Sequence, residues 1–243
     1  MSKLGTLKIV NAKLVNEGQI KTCDLLIKGN RIERIAESLS NYESDATFDA
    51  QGKHLLPGLI DDQVHFREPG LTHKANIASE SKAAIAGGIT SFFEMPNTQP
   101  QTTTIEAWEE KNKIAASTSY ANYAFMFGGT NDNLAQIQAL DSTRVPALKL
   151  FLGSSTGNML VDNPDVLRSI FSSTDLVIAV HCEDETTIQS NLKKAKDQFG
   201  DVIPMEYHPI IRSEEACYLS SSRAVALAKE TGARLHVFHV STA

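Results

Sequence analysis

Cationic excess is absent from this sequence: 23 Lys and Arg stand against 29 Asp and Glu in 243 residues, a formal net charge of -6. Such a chain has no broad positive field for non-specific nucleic-acid binding, so an anionic ligand must meet locally placed cations. Long apolar runs are also absent. None approaches the roughly 20 residues that a membrane-spanning helix requires, and the start, MSKLGTLKIVNAKLV, has no secretory apolar segment. The expectation is a cytoplasmic protein with neither nucleic-acid nor membrane partners. Cysteine is scarce, with Cys23, Cys182 and Cys217 at wide spacing. That pattern matches neither a disulfide framework nor a CxxC zinc site, and it predicts reduced thiols. Gly-rich phosphate loops, internal repeats and low-complexity segments are missing as well. What is present, 42% hydrophobic and 21% charged residues, suffices for a sizeable core in one large domain or two modest ones.

Residues 6–50 alternate apolar and polar positions around turn signals: Leu7, Ile9 and Val10, then 24–28, then 31–35 after Gly29-Asn30. This predicts a small antiparallel β unit. From about residue 55, short apolar runs without alternation take over, each followed by a helix-like stretch, as in strands covered on both faces of a parallel sheet. Strands are expected at 55–60, 89–94, 121–127, 147–152, 176–181 and 235–240, and helices at 74–86, 105–116, 164–171, 185–196 and 214–231. Thr103-x-x-Glu106 offers a capping box to the second helix and Gly87-Gly88 a stop to the first. Repeated βα units form either an open doubly wound sheet or a barrel. Six units and an abrupt end after 234–240 favour a TIM-like (β/α)8 barrel, incomplete in this chain, and hence a piece of a longer polypeptide.

In a parallel α/β barrel the working groups sit at the C-terminal ends of the strands. Here the first run ends in Asp61-Asp62-Gln63-Val64-His65, the fourth contains Lys149, the fifth ends at His181 and the sixth at His239. Any one of these histidines alone reads as a hydrogen-bonded structural residue. Lys149 interrupts the apolar run Ala147-Leu148-Lys149-Leu150-Phe151-Leu152, where an unpaired ammonium is costly, so it is expected to be paired, deprotonated or chemically modified. Desolvation makes an amine nucleophilic enough to react with carbon dioxide, and the resulting carbamate has two anionic oxygens that can bridge two divalent cations. Together, the four residues at one barrel mouth predict a metal centre.

The run Pro57-Gly58-Leu59-Ile60-Asp61-Asp62-Gln63-Val64-His65-Phe66-Arg67-Glu68-Pro69-Gly70 resembles the signature of class I dihydroorotases, in the amidohydrolase superfamily with hydantoinases and allantoinases. Met95-Pro96-Asn97-Thr98, Lys149-Leu150-Phe151, His181-Cys182-Glu183-Asp184 and His236-Val237-Phe238-His239-Val240-Ser241-Thr242 follow in the family's order. Lys149 comes 84 residues after His65, His181 comes 32 after Lys149, and His239 comes 58 after His181. The resemblance implies a zinc site bridged by a carboxylated Lys149, with His181 and His239 holding one metal and His65 helping to hold the other. It implies a metal-bound hydroxide as nucleophile and the reversible cyclisation of N-carbamoyl-L-aspartate to L-dihydroorotate in pyrimidine biosynthesis. Arg67 and Asn97 match the positions that grip the substrate's α-carboxylate, a task suited to a guanidinium fork and an amide donor. A small N-terminal β-sandwich portion over 1–54, a hydrolase barrel over 55–243, and a homo-oligomer or a transcarbamoylase partner are further expectations from the resemblance.

The chain departs from the family pattern in two places. The family's first-strand motif is His-x-His, but Gln63 stands at its first position, and an amide oxygen is a weaker zinc ligand than imidazole. The family's catalytic aspartate lies on an eighth strand beyond this sequence, so no catalytic residue is assigned. Both departures fall on one metal position. The expectation is an asymmetric site, retained near Lys149, His181 and His239 and weak or absent near His65. Competing expectations are a hydantoin, dihydropyrimidine or allantoin as the cyclic amide, and a catalytically silent scaffold for a transcarbamoylase. Gln63 favours that last reading, and the three retained ligands oppose it. His236, three residues before His239, is expected on the opposite strand face and outside the metal set. His54, His73 and His208 have no expected role, and Cys182 is expected to be a buried thiol.

Overall fold

A computed structural model describes residues 5–153 and 159–242, and the chain divides into two compact units between Leu59 and Ile60. In the first, β1 (Thr6–Asn16) and β2 (Gln19–Lys28) pair antiparallel around Glu17 and Gly18. The φ angles of these two residues, +50° and +72°, are the left-handed pair that a tight hairpin turn requires. β3 (Arg31–Ala36) adds antiparallel to β2. β4 (Ala46–Asp49) and β5 (His54–Leu55) instead run parallel to β1, giving one mixed sheet ordered β3-β2-β1-β4 with β5 also against β1. The antiparallel expectation fails there because a crossover, not a hairpin, returns the chain beside β1. Leu39, buried in that crossover, donates its N–H to the Asp24 carboxylate of β2 at 2.9 Å and so fixes its path.

The second unit alternates strands and helices. β6 (Leu59–Val64), β7 (Ile89–Glu94) and β8 (Asn122–Phe125) are neighbours in one sheet, and β9 (Phe127–Gly128), β10 (Leu148–Phe151), β11 (Ile178–His181) and β12 (Leu235–Val237) in another. The pairs β7–β8, β9–β10, β10–β11 and β11–β12 are parallel. The strand expected over 121–127 is split at Met126, where the chain passes from one sheet to the other. Met126 N–H donates to Glu94 O of β7, and Phe127 N–H donates to Ala147 O beside β10. The chain returns through α1 (Ile77–Ala86), α2 (Ile105–Thr118), α3 (Leu134–Gln138), α4 (Pro164–Phe171), α5 (Glu185–Phe199), α6 (His208–Ile211) and α7 (Glu214–Thr231). α4 and α7 have the expected bounds. α1 begins later, at Ile77, because the Asn76 side chain accepts from Ser79 N–H at 2.8 Å. The cap of α2 is Thr104 rather than Thr103, with Thr104 Oγ1 accepting from Ala107 N–H at 3.2 Å. No helix among the described residues is long and apolar enough to cross a membrane.

Strand alternation separates two apolar layers. Phe92, Phe125, Phe127, Leu148, Leu150, Ile178 and Val180 pack with Trp108, Ile170, Phe171 and Ala224 of the helices. Ala147, Ala179 and Phe238, with Met95 and Met126, form a smaller cluster. Alternation along β10 puts Lys149 with Ala147 on this second face, opposite the helix layer. Beyond the strand ends, the loops around 67–70 and 97–101 interlock. Gln99 N–H donates to Pro69 O at 3.1 Å, and a Cβ on Gly70, whose φ is +80°, would overlap the Gln99 carbonyl oxygen. Gly70→Ala is therefore expected to cost about 2–4 kcal/mol, from left-handed strain plus overlap. Urea denaturation measures this as a lower midpoint with an unchanged slope, and a midpoint equal to the parent's would refute the interlock.

Candidate metal centre

Lys149 reaches its position because its neighbours in the sheet are small. It lies in register with Gly128 on β9 and Ala179 on β11. Gly128 has little room for a side chain, since a Cβ there would press on Met159, Pro96 and Thr103 at 2.5–3.1 Å. Lys149 is 1% exposed, and its Nζ finds no hydrogen-bond partner among the described residues. The nearest aromatic faces are those of Phe151 and Phe238, at 4.8 and 4.5 Å from ring centroids. Burial pulls the amine down to about 7.

β11 ends on His181, and the two nitrogens that matter point in different directions. Nδ1 faces His239 Nε2 at 3.3 Å, while Nε2 lies 2.7 Å from Glu183 Oε2. Burial pushes the Glu183 carboxyl up, but hydrogen bonds from His181 and Arg212 outweigh it and hold the group below its ordinary value. A carboxylate accepts only, so His181 carries its proton on Nε2 and leaves the Nδ1 lone pair toward His239. β12 ends at Val237, and the φ of +36° at His239 turns its ring toward His181, with centroids 5.0 Å apart. Burial, then the charges of His181 and Lys149, lower the His239 imidazole. His65, at the end of β6, is lowered to about 4, by burial first and by Arg67's charge second. Its Nδ1 is 2.9 Å from Asn97 Oδ1, so the proton sits on Nδ1 and the Nε2 lone pair is free to ligate.

Among the described residues, no three His, Cys, Asp or Glu side chains gather as a metal cluster. One distance, within hydrogen-bond reach here, is also compatible with a shared divalent ion. Two nitrogens each about 2.0–2.1 Å from a tetrahedral zinc lie roughly 3.3 Å apart, which is the observed His181–His239 separation. The unpartnered Lys149 Nζ marks a place where a further charged group would be satisfied. Beside this centre is a cleft of about 420 Å³ lined by Arg67, Leu71, Lys74, Asn97, Thr98, Gln99 and Gln101. It unites the two residues expected to grip a carboxylate.

A family model described as dihydro-orotase-like matches residues 52–243. This chain belongs to the dihydroorotase-like family. It is 34% identical over 240 residues to the L-hydantoinase of Paenarthrobacter aurescens, covering 96% of this chain and 52% of that protein. To the dihydroorotase of Methanosphaera stadtmanae it is 30% identical over 242 residues, covering 98% and 54%. The allantoinase of Deinococcus radiodurans is 32% identical over 238 residues, covering 95% and 52%. A solved structure of L-hydantoinase (dihydropyrimidinase) from Arthrobacter aurescens superposes with a TM-score of 0.91 at 32% identity, covering 97% of this chain and 53% of that one. The chain thus spans about half the length of the relatives it matches. Its second unit is part of the TIM-like amidohydrolase barrel, and its relatives are cyclic amidohydrolases.

Within this family assignment, His181 and His239 are joined, the charge of Lys149 bears on His239, and His65 is joined to Asn97. Gln63 donates its backbone N–H to Asp61 Oδ1 at 3.1 Å. His236 lies within β12, where strand alternation holds. Its ring packs on Phe238, 4.5 Å between centroids, and its Nε2 lies 4.0 Å from Asp62 Oδ2. The departure is at His239, which stands beyond the strand and turns by its own backbone. Cys182 is buried, and burial raises its thiol to about 11. Two side chains that the structure ties to these residues carried no expectation from the sequence. Glu183 sits two residues after His181, a spacing that could have flagged it as a partner for the ring. Lys111 occupies the buried stripe of α2 with Trp108 and Ala115, and a lysine in such a stripe is itself a signal. Nitrogen-15 shifts of His181 are expected to show a protonated Nε2 and a bare Nδ1, and Glu183→Ala should mix the two tautomers. A bare Nε2 in the parent would overturn the assignment.

Proposed function

We propose that this chain provides the metal-binding and carboxylate-binding part of a dihydroorotase, which interconverts N-carbamoyl-L-aspartate and L-dihydroorotate. The observation that carries this reading is the cleft, where Arg67 and Lys74 meet Asn97 with no acidic side chain in its described lining. A cyclic ureide bearing a carboxylate suits those two cations. Arg67 would hold the carboxylate through its planar fork. Asn97 has its Oδ1 engaged by His65, which leaves its Nδ2 to donate to the same carboxylate. Lys149, His181 and His239 would hold one zinc ion, and His65 would help to hold a second, which Gln63 supports less well than an imidazole. When bound, zinc supplies Lewis-acid polarisation of a carbonyl and lowers the pKa of water toward neutrality. Lys149, desolvated and unpartnered, would add through Nζ to the carbon of carbon dioxide. One N–C bond forms as a C=O π pair moves onto oxygen, the neutral amine gives up one proton to solvent, and the carbamate's oxygens would be available to hold the metal. Glu183 would keep His181 in the tautomer that offers Nδ1.

A hydantoinase reading has its own support, since the L-hydantoinase relative is more identical to this chain than the Methanosphaera dihydroorotase. A hydantoin ring without a carboxylate would leave Arg67 unused, and that difference separates the two readings. In the full-length gene product loaded with zinc, L-dihydroorotate should be opened, and Arg67→Ala should raise its KM by about 10- to 100-fold while leaving hydantoin turnover unaltered. Turnover of hydantoins with none of dihydroorotate would overturn the proposal. Metal analysis is expected to find one tightly held zinc, lost in His239→Ala; two tightly held ions in the parent would show that Gln63 costs the second position little.

A further inference from the structure

Lys111 is the most completely buried charged side chain described, at 0% exposure. Its ammonium lies 2.6 Å from Glu94 Oε2. It also donates to Met95 O at 3.0 Å and stands over the Phe125 ring at 5.0 Å. Glu94, 1% exposed at the end of β7, turns its other oxygen the opposite way. Oε1 accepts the Arg67 N–H at 3.1 Å, and the Phe66 N–H also bonds this carboxylate. Met95 leads through Pro96 directly to Asn97. One ion pair therefore fastens the backbone on both sides of the cleft, at Arg67 and just before Asn97. Arg67 has a φ of +68°, a conformation that non-glycine residues keep only when their surroundings enforce it.

We propose that the Glu94–Lys111 pair is a positioning device for carboxylate recognition, holding Arg67 in its left-handed conformation and Asn97 within reach before the ligand arrives. The proposal rests on the cleft's being the carboxylate site. A role in folding alone would be met as well by two apolar side chains of similar volume. No apolar side chain, however, can accept the Arg67 N–H. Lys111 neutralises a carboxylate that would otherwise be stranded among Met95, Phe125 and the α2 stripe, and Glu94 supplies the acceptor.

Two double variants of the full-length gene product separate these roles. Glu94→Leu with Lys111→Met removes the acceptor and leaves no buried charge. Glu94→Gln with Lys111→Met is equally uncharged but keeps a carbonyl oxygen for the Arg67 N–H. The expected result is a KM for L-dihydroorotate raised about 10- to 100-fold in the Leu/Met variant, with kcat little changed, and recovery toward the parent in the Gln/Met variant. Hydrogen exchange at the Arg67 amide, slow in the parent, should quicken in the Leu/Met variant only. Equal KM values in both variants, or equal losses of kcat for dihydroorotate and for a neutral hydantoin, would overturn the proposal. Fast Arg67 exchange in the parent would do so without any variant, even if the Leu/Met protein does not fold. Slow exchange in a parent that does not bind dihydroorotate would refute the carboxylate site itself, and with it the role assigned to the pair.

Discussion

Burial strips an ammonium group of the water that solvates it, and among the described residues two lysines are so placed, with opposite solutions. Lys111 meets the Glu94 carboxylate and a backbone carbonyl, so its charge is matched within the core. Lys149 meets two aromatic faces and no acceptor among the described residues. Attraction to a ring face is worth about 2 kcal/mol or somewhat more when desolvated, which is small beside the cost of an unpaired buried charge. The first arrangement keeps its charge paired, and the second leaves an amine that burial pulls down to about 7. The rest of the site follows from these two. Gly128 and Ala179 clear the space for Lys149, while Glu94 gathers the backbone at Phe66 and Arg67.

Glu183 is a third answer to the same constraint, on the histidine side of the centre. A carboxylate in that position would be raised by burial, yet it is held ionised by donors on both flanks, His181 and Arg212. The consequence falls on His181, which must present Nδ1 outward. An imidazole without that partner would distribute its proton between the two nitrogens and offer the useful lone pair only part of the time. On the proposed reading, the arrangement would orient a metal ligand through its far nitrogen.

Local signals made much of the fold legible. α4 has Asn163 and Pro164 at its start, α7 has Ser213 at its start and Gly232 with a φ of +76° at its end, and both have the bounds the pattern predicts. The buried runs at β7, β10 and β11 were equally plain, and the break in β10 marked Lys149. Less legible was what depends on residues distant in sequence. The parallel return of β4 and β5 is a crossover, which alternation within each segment does not encode. His239 turns by a backbone angle after its strand has ended, so period-two reasoning does not reach it. Lys111 violates the apolar stripe of α2, and the violation has meaning only when Glu94 is known to lie across from it. Conflicts of this kind between local pattern and residue identity mark positions where the fold is shaped by more than burial.

Relatives bearing three different substrate names match this chain at similar identity, from 30% to 34%. Selectivity among cyclic amides must therefore come from features other than the shared barrel architecture. Here the candidates are the segments that follow β6 and β7, where Arg67, Lys74, Asn97 and Gln101 surround one cleft. Those segments are not free to drift, because Gly70 packs against the Gln99 carbonyl and the Arg67 N–H is bound to a buried carboxylate. A loop held this firmly loses less entropy when a ligand binds than one that must first be ordered. On the proposed reading, the same rigidity would bear on selectivity, since two cations fixed around the cleft would favour a ligand that brings a carboxylate.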